Sequence, residues 1–419
     1  MARQGLVLSH QHNLHSGRRI PARTMMLARS RSRVLASLAS TRRAGSAAGA
    51  RPRTSSSATS TAAWRPVAGH SRSARCEAGK ADFRTKSPED VSVMVAGGTG
   101  YIGRAVVKEL VSRGYKTTVL AREKSGIGGA EGKAETVKRF EGTAVEFGDV
   151  TDTASLGAAM GKHSPDVFVC CLASRTGGKK DSWLIDYQAT RNCMDEAIKA
   201  GASHFVLLSA ICVQKPLLEF QHAKLKFEEE LMASDEITHS IVRPTAFFKS
   251  LAGQVESVKK GGPYVYFGEG DLCACKPISE RDLASFIVNC VSDESMVNKM
   301  LPIGGPGKAY TPREQADLLF GLMGEKPKYF PVPVSLMDGI IGIFEFFSRW
   351  FPNLEDTAEF GKIGKYYATE SMLVYDPATG TYDADATPEY GEDTLESFFR
   401  NALEEGLEGQ ELGDQAVFK

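Results

Sequence analysis

The chain has 419 residues, 42% hydrophobic and 24% charged, with a formal net charge of zero, the make-up of a folded protein with room for one large or two ordinary domains. Residues 1–75 hold fourteen Arg and no Asp, Glu or Lys, so the remainder, with 37 bases against 51 acids, carries −14. No apolar stretch reaches the length of a membrane span, and the eight cysteines form no CxxC array, which argues against an iron–sulfur cluster or other bound metal.

Residues 1–75 are rich in Arg, Ser and Ala, carry no acid before Glu77, and lack an apolar core of the secretory kind. This is the signature of a disordered organelle transit peptide, with cleavage expected near Arg75 and Cys76. A basic tail or plain disorder are the alternatives, but Arg scattered singly without Lys makes a poor phosphate-binding patch, and no nucleic-acid partner is expected.

Residues 91–103, VSVMVAGGTGYIG, organise the rest of the chain. A short buried strand runs into Gly97, Gly98, Thr99, Gly100, Tyr101, Ile102 and Gly103, and then into the helical pattern RAVVKELVSRGY. Strand, glycine turn and helix in that order make a phosphate cradle: the chain turns at Gly97, the backbone meets a pyrophosphate at Gly100, and helix packs on strand at Gly103. A glycine turn without a ligand would not explain that placement.

A second strand, Lys116 to Ala121, ends on Arg122, Glu123, Lys124 and Ser125. The tip of this strand holds the adenosine ribose in dinucleotide-binding folds, and a guanidinium there suits a 2′-phosphate, with Lys124 and Ser125 as further donors. NADPH is therefore the expected cofactor, although Glu123 leaves a solvated loop as the alternative. A third strand, Ala144 to Phe147, leads to Asp149, which reads as a helix cap or, by its resemblance to the Asp at this place in dinucleotide-binding reductases, as an adenine contact. A fourth, Pro165 to Cys170, delivers Ala173 and Ser174 beside the nicotinamide ribose. A helix comes next over 183–200, in which Tyr187 reads as packing rather than catalysis.

The fifth strand, His204 to Leu208, delivers Ser209. The sixth, Ser240 to Val242, ends in Arg243 and Pro244, a pair whose resemblance to that of extended reductases implies a place at the nicotinamide face. Beyond it the strand–helix alternation stops. Short strands are expected at 263–267 and 273–278, with a helix capped by Ser279 over 280–291. The stripe Leu336, Met337, Ile340, Ile341, Phe344, Phe347, Trp350 and Phe351 marks a helix over 335–351 that is either core, a lid on a flat apolar ligand, or a foot on a membrane. Lys362, Lys365, Tyr366 and Tyr367 gather cations and phenols nearby. The segment 376–419, with twelve acids and two bases, reads as a solvated acidic tail with one helix over 394–405.

The Gly-x-x-Gly-x-x-Gly spacing resembles that of the extended and atypical short-chain dehydrogenase/reductases, which implies a Rossmann-type doubly wound parallel sheet at 88–250 and a smaller α+β substrate-binding region at 251–375. In that superfamily the fifth strand brings a substrate-side Ser, here Ser209, and then Tyr-x-x-x-Lys. This chain reads Phe220, Gln221, His222, Ala223, Lys224: the lysine is present and the tyrosine is not. A phenyl ring has no proton to give a reduced carbonyl, which counts against ordinary ketone chemistry. Lys226 competes with Lys224 for the role.

With CVQKPLLEFQ, FGKIGKYY and DLCACKPISE beside the glycine turn, the chain from about residue 85 onward resembles the NADPH-dependent divinyl chlorophyllide 8-vinyl-reductases of chloroplasts. The resemblance implies an oxidoreductase that reduces a tetrapyrrole vinyl group to ethyl, with Lys224 near Ser209 supplying a proton. It also implies a tetrapyrrole carboxylate near Lys276, Lys362 or Lys365, with peripheral membrane contact left open. A catalytically silent NADPH-binding plastid protein and an isoflavone-reductase-like double-bond reductase are the alternatives.

Overall fold

The computed structural model describes residues 82–125, 131–351 and 353–407. The Arg-rich segment, its expected cleavage site and the end of the acidic tail lie outside them. Six strands appear in the expected order: β1 (Ser92–Ala96), β2 (Lys116–Ala121), β3 (Ala144–Phe147), β4 (Val167–Cys170), β5 (His204–Leu208) and β6 (Thr238–Pro244). After the short strand β7 (Tyr264–Phe267) comes β8 (Lys299–Ile303), which completes a seven-stranded sheet ordered β3-β2-β1-β4-β5-β6-β8. All its pairings are parallel.

β1 shows why the sheet is covered on both faces. Val93 and Val95 join one core with the helices Tyr101–Ser112 and Glu280–Ser292. Met94 and Ala96 point the other way, into a core with the helices Thr153–Gly161, Thr190–Ala200 and Glu219–Ala233. Successive side chains of a strand face opposite sides, so an unbroken apolar run needs two helical layers. The strand order reverses between β1 and β4, which opens the ligand crevice of such sheets at their carboxyl ends.

Beyond β6 the sequence-based expectations need correction. The seventh strand and the helix Glu280–Ser292 belong to the sheet although they lie past residue 250, within the stretch expected as the substrate-binding region. β8 is hidden in the sequence by Pro302, which lacks an N–H; the strand survives because it sits at the sheet edge. Residues 273–278 form no strand: Cys275 makes single bridges to Tyr310 and Met372. A third core gathers the helices Lys249–Lys259 and Pro312–Met323, β7 with its parallel partner β9 (Tyr329–Val332), and the helix Leu395–Glu404. The acidic segment is thus no solvated tail throughout, since Leu395, Phe398, Phe399 and Ala402 are buried; its acids occupy the opposite side of an amphipathic helix capped by Thr394.

The apolar helix Val334–Ser348 is mostly not core. Ile341 packs on Gly361 of the antiparallel helix Asn353–Thr369, and Lys362 and Lys365 pair with Glu345 and Asp338 across the same seam. The other side is open: Leu336, Ile340, Ile343, Phe347, Trp350 and Phe351 are all exposed. Among the described residues no helix is long and apolar enough to cross a membrane.

Phe399 is fully buried in the third core. Phe399→Ala is expected to lower unfolding stability by about 3–5 kcal/mol, as other large-to-small core changes do; urea denaturation monitored by circular dichroism measures it. A solvated tail would give no change.

Candidate active site

The glycine turn is held by close backbone packing. Gly97 has φ +75°, and a Cβ there would lie 2.5 Å from the Cys171 carbonyl oxygen, so the turns after β1 and β4 touch at the point where the strand order reverses. A Cβ at Gly103 would lie 2.1 Å from the Gly97 carbonyl oxygen, so Gly103 lets the helix fold back onto the turn itself. Gly100 stands exposed at the N-terminus of the helix Tyr101–Ser112, its own N–H donating to Gly97. The N–H groups of that first turn have no intrahelical partner, which is what a pyrophosphate at a helix N-terminus requires. Tyr101 is turned aside, donating its hydroxyl to Glu280 at 2.6 Å.

At the tip of β2, Arg122 and Lys124 are exposed. Glu123, also exposed, forms a surface ion pair with Lys133, 2.7 Å distant. Ser125 does not join the two cations. It is 1% exposed, its hydroxyl lies 2.7 Å from that of Thr136, and its N–H donates to the Glu131 carbonyl. Asp149 is exposed and accepts from the backbone and hydroxyl of Thr151; the helix cap is Asp152. Ala173 is exposed beyond β4.

Lys224 lies on the inward side of the helix Glu219–Ala233, 8% exposed, with its ammonium 3.0 Å from Asp186. Asp186 sits in a wide, π-helical turn at Trp183–Ala189 that aims its carboxylate at Lys224 and also accepts from the Ser174 N–H at 3.3 Å. Burial alone would push the lysine down, but Asp186 outweighs it and holds the ammonium above the ordinary lysine range. Lys226, the competitor, is exposed and paired with Glu230, and Tyr187 donates to that same Glu230 at 2.9 Å, an interhelix bond as expected.

Ser209 does not face Lys224 as a free hydroxyl. It donates to Glu228, which is gripped by Arg243 through two nitrogens, and all three residues are buried. Pro244 is buried at the end of β6. Phe220, where the superfamily has its tyrosine, packs into a small apolar cluster with Ile211, Cys212, Leu218, Tyr366 and Met372.

The helix Asn353–Thr369 lies over this mouth. Asp356 accepts from the Lys179 N–H at 3.2 Å, Glu359 from the Glu219 N–H at 2.9 Å, and the Tyr366 hydroxyl lies 2.9 Å from the Cys212 carbonyl. Those three anchors are on the segments that come after β4 and β5. Of the cations expected to meet a carboxylate, Lys276 is buried against Glu389, and Lys362 and Lys365 are already paired with the neighbouring helix.

Residues 97–294 match the NAD(P)H-binding family. Divinyl chlorophyllide a 8-vinyl-reductase, chloroplastic, from Cucumis sativus is 59% identical over 348 residues, 82% of this chain and 83% of that protein. Its counterpart from Arabidopsis thaliana is 58% identical over 340 residues, 80% and 82% of the two chains. This chain belongs to the divinyl chlorophyllide a 8-vinyl-reductase family. A solved structure of AtPrR2 with NADP+ and (+)pinoresinol shares the fold, with TM-score 0.55 at 17% identity, covering 74% of this chain and 98% of that one.

Within this family member, two features of the site are not visible in the sequence. Asp186 is hidden because a wide helical turn, not a regular 3.6-residue one, aims it at Lys224. The Ser209–Glu228–Arg243 cluster joins a strand end, a helix and another strand end, a union that spacing does not reveal. Glu228, one turn after Lys224 on the same inward side, is the available signal. Asp186→Asn leaves the buried ammonium without its counter-charge and is expected to cost about 3–5 kcal/mol of unfolding stability, as broken buried pairs do. The double variant Asp186→Asn, Lys224→Met should recover part of that loss; denaturant melts of the parent, both single variants and the double variant measure the coupling, and additive losses would deny it.

Proposed function

We propose that this chain binds NADPH and reduces the 8-vinyl group of a divinyl chlorophyllide to ethyl in the chloroplast. The observation that carries this reading is 59% identity along 83% of a relative so named; the open glycine cradle supports the coenzyme half. When bound, NADPH supplies hydride. The chain's own residues do the rest: Gly97 to Gly103 hold the pyrophosphate, Arg122 and Lys124 take the 2′-phosphate, and Ala173 and Ser174 border the nicotinamide ribose. Asp149 lies toward the adenine, and Pro244 closes the nicotinamide side. Residues 88–250, with the added helix and strand from 280–303, form the coenzyme half; the pigment lies toward the helices of 334–369.

Lys224 takes a different part from proton donation. An ammonium held above the ordinary lysine range gives up its proton poorly, so Lys224 acts as a fixed positive charge that holds ribose hydroxyls and stabilises negative charge arising on the pigment. Ser209 acts through Glu228 and Arg243 to hold the strand ends in place. A vinyl group conjugated to a tetrapyrrole spreads that charge over the macrocycle, which makes Phe220 tolerable. The exposed stripe from Leu336 to Phe351 supports contact with a membrane surface, from which an apolar pigment would be taken.

Purified protein mixed with NADPH and divinyl chlorophyllide should produce a small blue shift of the pigment's absorption as one conjugated double bond is lost. A pigment spectrum unchanged while NADPH is bound would overturn the reading in favour of a silent binding protein. Arg122→Ala should weaken NADPH about tenfold to a hundredfold, the worth of one charge-assisted hydrogen bond, while leaving NADH unchanged in a fluorescence titration. Equal losses for both would deny the 2′-phosphate contact.

A further inference from the structure

The diphosphate of a dinucleotide carries a negative charge on each phosphate, and the turn from Gly97 to Gly103 contains neither Lys nor Arg. Its N–H groups and the positive end of the helix Tyr101–Ser112 answer part of that charge. A side-chain cation is brought to the same place from the far half of the sheet. The segment after β6 is pinned on both sides: Thr245 donates its N–H to the Ile303 carbonyl at 2.9 Å and its hydroxyl to the Lys276 carbonyl, the Ile278 N–H donates to Ala246 at 2.9 Å, and the Phe248 N–H donates to Ile278 at 3.2 Å. Lys249 follows as the first residue of the helix Lys249–Lys259. It is thereby set at the carboxyl end of the sheet, the end where parallel strands keep their ligands.

From there its ammonium lies over the ring of Tyr101, 4.5 Å from the centroid, although β4 and β5 stand between β1 and β6 in the sheet. Tyr101 is the first residue of the helix that follows the glycine turn. Its hydroxyl donates to Glu280 at 2.6 Å, and the Phe247 ring flanks it with centroids 6.4 Å apart. Burial, with the Glu280 charge beside it, keeps the phenol protonated above its ordinary range, so the hydroxyl stays a donor to Glu280. The ring thus holds the acid at its edge and the cation on its electron-rich face, the side to which a cation is drawn. Lys249 is half-buried, and Gly100 beside Tyr101 is exposed, so the lysine and the turn are both open to a ligand.

We infer that Lys249 is a coenzyme-binding residue, its ammonium carried on the face of Tyr101 as the side-chain counter-charge to the coenzyme's diphosphate. The inference rests on the coenzyme half of the proposed function and adds to it a residue from outside the glycine turn. Arg122 and Lys124 serve the 2′-phosphate alone and so discriminate between coenzymes. Lys249 serves the diphosphate that NADPH and NADH share, so it adds affinity without discrimination. Because it heads a helix whose Ala252, Val255 and Val258 are buried in the third core, the contact ties that core to the bound coenzyme as well as to the sheet.

Lys249→Met removes the charge and keeps an unbranched stem over the ring. In fluorescence titrations it should weaken NADPH and NADH alike, each about tenfold, the worth of a charge-assisted contact, and flatten the rise of Kd with added salt. Inorganic pyrophosphate should compete with NADPH on the parent protein and about tenfold more weakly on the variant. Lys249→Arg, which keeps the charge, should bind both coenzymes within about threefold of the parent. Should the methionine variant fail to fold, Lys249→Gln is read in the same titrations. Coenzyme affinity unchanged by loss of the charge would overturn the assignment. So would a loss for NADPH alone, which would put the ammonium at the 2′-phosphate, a loss confined to divinyl chlorophyllide, which would give it to the pigment's carboxylate, or an equal loss in Lys249→Arg, which would make the lysine a packing group. A parent protein that binds neither coenzyme defeats the coenzyme reading itself, a result distinct from a failure of Lys249.

Discussion

The ion pair between Lys224 and Asp186 is the constraint around which the crevice is arranged. Two opposite charges taken out of water are costly unless each is fully partnered, and here the partners come from separate pieces of chain. Lys224 rides on the helix Glu219–Ala233, Asp186 on the wide turn Trp183–Ala189, and Ser174 donates its N–H to the same carboxylate from the loop after β4. Moving any one of the three leaves a charge unanswered. The pair therefore sets the distance between the two helices and the depth of the mouth below the glycine turn. The neighbouring cluster of Ser209, Glu228 and Arg243 repeats the device one helical turn further on and ties the same helix to the ends of β5 and β6.

Against this fixed floor, the antiparallel helices Val334–Ser348 and Asn353–Thr369 form a less constrained roof. Their mutual seam is narrow, with small Gly361 against Ile341 and two ion pairs at its edges. Asn353–Thr369 touches the body through a few hydrogen bonds and the buried Tyr366, while Val334–Ser348 keeps its apolar stripe in solvent. Exposed ion pairs contribute little each, and segments with few buried contacts open at low free-energy cost.

The coenzyme half of the fold is legible in the sequence because its signals are local. The unbroken buried run of β1, glycines set between strand and helix, and Arg122 at the tip of β2 all lie within a few tens of residues of one another. The six strands accordingly appear where the apolar runs stand. The features that stay hidden depend on contacts between distant segments. Pro302 disguises β8, which its edge position permits; Ser125 looks available in sequence, yet Thr136, eleven residues on, takes its hydroxyl; the apolar stripe of Leu336 to Phe351 reads the same in sequence whether it meets a core or solvent. Lys276, Lys362 and Lys365 are plausible carboxylate partners by type, yet each already has an acid beside it from another element. Propensity and spacing report on a residue's neighbours in the chain, and charge pairing is decided by its neighbours in space.

The order in which the sheet is assembled has a consequence for how the protein reaches its native state. The helix Glu280–Ser292 covers the same face as Tyr101–Ser112, and the final strand is residues 299–303, so the nucleotide-binding layer stays open on one side until the chain has emerged far beyond its first strand. Parallel pairing over such separations is slow, because loop entropy is lost before contacts reward it. Until then the chain presents bare β-edges and apolar surfaces, so its yield should depend more on protection from aggregation during folding than on the final free energy of the fold.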